Sequence, residues 1–176
     1  MKYIDLSNIV FDPYDIENNI KLVENLGVQA PRSVIEQFYI DHNRDSTFQE
    51  LYGDLDLSLL EWELIEAPTE LFFQIGHNAS YADFLEEMSE DASHYESNGD
   101  SVIDCRPEVL SHWKEFGSWL TPPILIDGNV IGKRAKTPHL VEGHSRVGCL
   151  LGINKYKIIH SASIHKIYWG TLRKST

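Results

Sequence analysis

The stretch richest in chemistry is Val141-Glu-Gly-His-Ser-Arg146. Apolar residues run into Gly143, and a helix-forming sequence follows within two positions. The pattern predicts a strand, a tight turn and a helix N-terminus. Glycine lets the backbone turn and approach a ligand closely. The first N–H groups of a helix are free and its dipole is positive there, so an anion is favoured. Arg146, in the first turn, carries the planar fork that grips phosphate or carboxylate. Lys133, Arg134 and Lys136 lie just upstream, in a basic loop from Gly132 to Pro138 that can close over the same place. Gly143, His144, Ser145, Arg146, Glu142, Lys133 and Arg134 are therefore the candidate phosphate or nucleotide set, for a ligand such as ATP or CTP, with Glu142 or His144 as acid/base. The competing reading pairs Arg146 with Glu142 and leaves His144 as a hydrogen-bonded turn residue.

A second candidate surface is acidic. Glu86, Glu87, Glu90 and Asp91 fall on the outer face of a predicted helix and suit a basic partner, or simply a solvated face. No catalytic residue is assigned. Ser145 has no Ser-His-Asp companions in sequence, and Gly143-His-Ser-Arg is not a Gly-x-Ser-x-Gly elbow. The histidines show no metal spacing, and His139 and His165 are expected to be structural. Cys105 and Cys149 form no Cys-x-x-Cys pair and are expected to be reduced.

Net charge is −12, unevenly spread. Residues 1–100 hold 4 Lys/Arg against 22 Asp/Glu, and residues 101–176 hold 11 against 5. An acidic first half repels nucleic acid, which is bound through a basic surface, and steers a cationic protein. No run of apolar residues is long enough to cross a bilayer and no signal-peptide pattern opens the chain, so a cytoplasmic location is expected.

The elements that must position these residues are read from periodicity. Tyr3–Leu6 alternates like a short strand. Helices are predicted from Asp15 to Leu26, from Pro31 to His42, around Phe48–Tyr52, from Ala67 to Ile75, from Tyr81 to His94 with Phe84, Leu85 and Met88 inward, and from Pro107 to Trp119 with Val109, Leu110, Trp113 and Phe116 inward. Asp54–Leu57 reads as a strand entry and Leu59–Ile65 as a short strand. Glu96–Asp100 reads as a loop. Further strands are expected at Pro123–Ile126, His139–Glu142, Tyr156–Ile159 and Ile164–Trp169, with a helix from Ser145 to Leu151 closed by Gly152. The fold class is α+β or α/β. A helical extension, 1–53, precedes a small mixed sheet with helices, 54–176, in one compact unit.

The order strand, [Glu/Asp]-Gly-x-x-Arg, helix, preceded by a strand and a loop, resembles the ParB/sulfiredoxin superfamily over roughly residues 54–172. That resemblance implies a nucleotide phosphate at the Gly143–Arg146 turn. The chain departs from both branches. Sulfiredoxins place a catalytic cysteine between the glycine and the arginine, where this chain has His144 and Ser145. ParB proteins read Gly-Glu-Arg-Arg there and continue into a DNA-reading region. Pro31–Phe38, His42–Arg44 with Phe48 and Tyr52, Trp119–Pro123 and His165–Gly170 also resemble ParB-like bacterial immunity and antitoxin proteins found beside polymorphic toxins. The first expectation is therefore an acidic protein that binds and neutralises a basic toxin, needing no cofactor. The alternative is a nucleotide-binding or nucleotide-hydrolysing protein.

Overall fold

Ile124, Leu125 and Ile126 form a strand in which every side chain is fully buried. Successive strand residues point to opposite faces, so this strand needs apolar cover on both sides. The computed structural model supplies it from the two halves of the chain. It describes residues 1–134 and 138–173, with the side chains of Lys133 and Arg134 outside the description.

The fold is mixed α+β. A 3-10 turn, Tyr3–Asn8, leads to α1 (Ile16–Asn25), α2 and α3 (Ser46–Tyr52). Helix α2 starts as Arg32–Val34 and continues as a π-helical stretch, Ile35–Ile40. Then come β1 (Leu60–Pro68), β2 (Gly76–His77), α4 (Ala82–Asp91), α5 (Tyr95–Asn98), α6 (Pro107–Phe116), β3 (Ile124–Ile126), β4 (His139–Glu142), α7 (His144–Tyr156) and β5 (Ile164–Leu172). The strands lie in the order β1-β5-β3-β4-β2. β1 is antiparallel to β5 and β4 to β3, while β3 runs parallel to β5 and β2 to β4.

Ile124, Ile126 and Val141 face a core built from the N-terminal segment, including Tyr3, Leu6, Phe38, Tyr39, Phe48 and Tyr52. Leu125, Leu140 and Ile167 face a second core with Leu85, Trp113, Val147, Leu150 and Ile153. The molecule is thus three layers: N-terminal helices, sheet, and α4, α6 and α7. The first 57 residues supply most of the first core.

Several expected elements differ. Tyr3–Leu6 is a 3-10 turn in which Tyr3 and Leu6 both face inward, a three-residue spacing that an alternating strand would have split between faces. The strand expected at 59–65 starts at Leu60 and runs on to Pro68, past the predicted helix start at Ala67; only a 3-10 turn, Thr69–Phe73, follows. The strand entry at 54–57 is reduced to a single antiparallel bridge, Asp56 to Lys2, between a turn and a 3-10 segment, Leu57–Leu59. Glu96–Asp100 joins the end of α5 to a 3-10 turn, Gly99–Val102, across a break at Gly99 (φ 60°), and Tyr95 and Val102 on either side pack on the second core. Phe84 and Phe116 are 37% and 52% exposed, and Ser89 and Ala92 occupy the α4 contact instead. The strand expected at 156–159 is the end of α7 and the chain after it.

Helix α7 continues through Gly152 because α4 lies against it. A Cβ at Gly152 would sit 2.5 Å from the Ser89 carbonyl oxygen and 2.8 Å from Ala92 Cβ, and one at Gly148 2.6 Å from Met88 Cβ. Glycine lowers helix propensity, and here it allows the two helices to meet nearly backbone to backbone. In an open helix Gly152→Ala would gain about 0.5–1 kcal/mol. In this contact it is expected to cost about 1–3 kcal/mol by overpacking. Urea denaturation reads the sign, and a stabilised variant would refute the close approach.

Candidate functional site

The strand, turn and helix start predicted from residue 139 onward are present: β4 ends at Glu142, Gly143 has φ 98°, and α7 begins at His144 and runs past the predicted stop to Tyr156. Only glycine fits there. Its backbone is left-handed, and a Cβ would lie 2.5 Å from Pro123 Cβ. The turn borders a cleft of about 430 Å³ lined by Gly143, Ser145, Arg146 and Glu142, by Ser33, Glu36, Gln37 and Asp41 from the α2 region, and by Arg106, Trp119 and Thr121. The cleft is a seam between the N-terminal layer and the C-terminal helices.

Arg146 is committed inside the protein. Its guanidinium donates to the Thr121 carbonyl at 3.0 Å, to Gln37 Oε1 at 2.7 Å and to the Glu142 carboxylate. Sequence separations of 109 and 25 residues are bridged by one side chain, so Arg146 pins both outer layers to the end of β4. Burial works to raise the pKa of Glu142. The nearby His42 ring, 4.0 Å away, and the charge of Arg146 outweigh it, and the carboxyl lies below its ordinary value. Asp41 is displaced the other way, by burial and by the nearby charges of Glu142 and Glu36. Arg106 forks onto Asp104 at 2.9 and 2.7 Å. The cleft is therefore polar with mixed charge: Glu36, Asp41 and Glu142 face a space shared with two arginines already paired to carboxylates.

His144 points away from the cleft into the protein, where its ring packs on Tyr81 with centroids 4.6 Å apart. Among the described residues its buried Nε2 has no hydrogen-bond partner, nor has Nδ1 of His139, whose Nε2 meets the Tyr52 hydroxyl at 2.8 Å. Ser145 is exposed at the rim. The side chains of Lys133 and Arg134 lie outside the described residues, as does Lys136. Among the described residues no three His, Cys, Asp or Glu side chains converge as a metal site. Both cysteines are free, Cys149 buried and Cys105 exposed.

The second candidate surface is the solvent side of α4. Glu86, Glu87 and Asp91 are exposed. Glu90 is held by Lys155 and the Tyr156 hydroxyl, which fastens α4 to the end of α7. Three of the four predicted acids are thus presented on a helix fixed from behind.

Sequence reading missed the far wall of the cleft, Glu36, Gln37, Asp41, Arg106 and Thr121, and His42 beside Glu142. For Glu36, Gln37, His42 and Thr121 the signal lay in Pro31–Phe38, His42–Arg44 and Trp119–Pro123, segments singled out by resemblance but given no chemical role; Asp41 and Arg106 carried none. They converge on Glu142 and Arg146.

Comparison with protein-family models, curated proteins and solved structures finds no match.

Burial holds His139, His144 and His165 well below the ordinary imidazole value of 6.5, at about 4. The native protein therefore binds fewer protons than the unfolded chain between those limits. The stability these residues contribute is complete above about pH 6.5 and drains away as pH falls toward 4. At pH 5 each is expected to cost about 2 kcal/mol. Urea denaturation at pH 7.5 and 5 tests this. Equal stability at both would mean that the imidazoles are not buried in neutral form.

Proposed function

We propose that this protein works by binding a cationic protein, which it neutralises, in the manner of an immunity or antitoxin protein. The observation that carries the reading is the rigid acidic face of α4. Glu86, Glu87 and Asp91 stand exposed on a helix whose other side is locked against α7. The net charge of −12 adds a long-range field of the same sign. Such a field accelerates encounter with a basic partner and falls off with salt.

A nucleotide at the Gly143 turn has less support. Arg146, the intended phosphate ligand, already makes three internal contacts. A phosphate in the cleft would also sit near Glu36, Asp41 and Glu142.

Stopped-flow association with a purified basic nuclease toxin domain tests the proposal. The Glu86→Lys, Glu87→Lys, Asp91→Lys triple variant should slow association roughly tenfold at low salt, with the difference shrinking as salt rises. An unchanged on-rate would remove α4 as the docking face. Millimolar ATP or CTP should leave the melting temperature where it is; a shift abolished by Arg146→Ala would favour the nucleotide reading instead.

A further inference from the structure

The ladder between β1 and β5 has a readable phase. The Arg173 N–H donates to the Leu59 carbonyl at 2.7 Å just before β1, and the Thr69 N–H to the Ser163 carbonyl at 3.0 Å just after it. Both are odd-numbered β1-side positions in the one continuous register that pairs Leu60 with Leu172 and Pro68 with Ile164. In an antiparallel pair, hydrogen-bonded and non-bonded positions alternate. Residues 61, 63, 65 and 67 therefore turn their backbone groups toward β5. The even residues of β5 turn the other way, as the Tyr168 N–H to Pro123 carbonyl bond (3.0 Å) and the Asp127 N–H to Gly170 carbonyl bond (2.9 Å) require. It follows that the N–H and C=O groups of Trp62, Leu64 and Glu66 point outward from the sheet. β1 is an edge strand, and among the described residues no hydrogen bond from outside reaches these three backbones.

We propose that this edge of β1 receives an extended, lysine- or arginine-bearing segment of the partner as a sixth strand. The inference rests on the cationic-partner reading and names the mode of contact. Edge backbone of this kind is a ready template for strand addition. Charge selects the occupant. Glu61, Glu63 and Glu66 are exposed along the strand, with Glu61 shared with Arg173 at 3.2 Å and Glu66 in register with Lys166. A second copy would bring these glutamates into one ladder, and like charges across strands are unfavourable. A cationic strand meets them as counter-charges. Beside the start of β1 lies a cleft of about 480 Å³ lined by Ala30, Pro31, Trp62, Glu61 and Glu63 and by Arg173, whose charge is taken up by Glu61 and leaves Glu63 to meet an incoming cation. That lining suits a long basic side chain, with its aliphatic stem on Ala30, Pro31 and Trp62 and its charged head at Glu63. Leu64, 52% exposed on the same face of the strand as Trp62 and Glu66, offers an apolar contact to an alternating sequence.

The test uses the full chain and a synthetic ten-residue peptide of alternating lysine and valine. Amide exchange measured by NMR should slow at least tenfold at Trp62, Leu64 and Glu66 when the peptide saturates. Leu64→Pro removes only an outward N–H, which an edge strand tolerates, so it should fold and weaken peptide binding at least tenfold. If Leu64→Pro does not fold, the Glu63→Lys, Glu66→Lys variant carries the test and should weaken binding similarly. Saturable binding with protection elsewhere, such as at α4, would overturn the edge site and leave the cationic-partner reading standing. Unchanged affinity in the variants would do the same. No binding of the peptide, with none to a basic protein either, would sink both.

Discussion

The central strand cannot be exposed on either face, and most of the architecture answers that constraint. Three consecutive large aliphatic residues, Ile124, Leu125 and Ile126, are each fully buried. Burying such a side chain is worth about 1.5–3 kcal/mol, but only if both sides of the sheet are covered. Helices α4, α6 and α7 cover one. The other cover comes from the chain's first 57 residues, an aromatic group in which Tyr3, Phe38 and Tyr52 pack ring to ring. The N-terminal layer therefore belongs to the core as much as the sheet does, and the cleft at the Gly143 turn is the seam where the layers meet.

That seam explains what sequence could and could not reveal. β4 and the start of α7 were legible because the local signals agree: apolar run, glycine, helix formers. Their ends reflect local physics too, with Gly143 in the left-handed region. Gly152 was illegible as a helix interior, since its reason is the carbonyl of Ser89 on another helix. The turn at Tyr3–Asn8 was misread for a related reason: the pair that matters, Tyr3 and Leu6, is chosen by a core drawn from residues up to 141. The partners of Arg146 were hidden in the same way. Glu142 is four positions away and was foreseen, whereas Gln37 is 109 away. Local pattern carries only near neighbours.

The histidines show the cost of this packing. His139 and His144 each bury one ring nitrogen, Nδ1 and Nε2 respectively, that has no hydrogen-bond partner among the described residues, which the surrounding aromatic contacts must offset. His165 is different, for Ser118 and Thr69 flank its two nitrogens at 2.8 and 3.0 Å. The Thr69 hydroxyl also donates to the Ala162 carbonyl at 2.9 Å. It must then accept from His165 Nε2–H, which leaves Nδ1 to accept from Ser118. One neutral tautomer is fixed by proton counting, and His165 ties the start of β5 to the ends of β1 and α6.

The charge asymmetry of the sequence takes a different form once folded. Cations of the second half are spent on acids of the first: Arg173 on Glu61, Lys155 on Glu90 and Lys114 on Asp100. Each exposed pair contributes little to stability, about 0–1 kcal/mol. Their effect is on where negative potential survives. Pairing removes Glu90 and Asp100 from the free acids and leaves Glu86, Glu87 and Asp91 on α4 and Glu63 on the β1 edge. Among the described residues these cations of the basic half are paired with selected acids of the first half, while the acids of one helix face and one strand edge stay exposed. The proposed cationic partner would meet those two surfaces in distinct ways. A helix face carries side-chain charge alone and acts at long range on the rate of encounter, whereas a strand edge adds directional backbone bonds that act on dissociation.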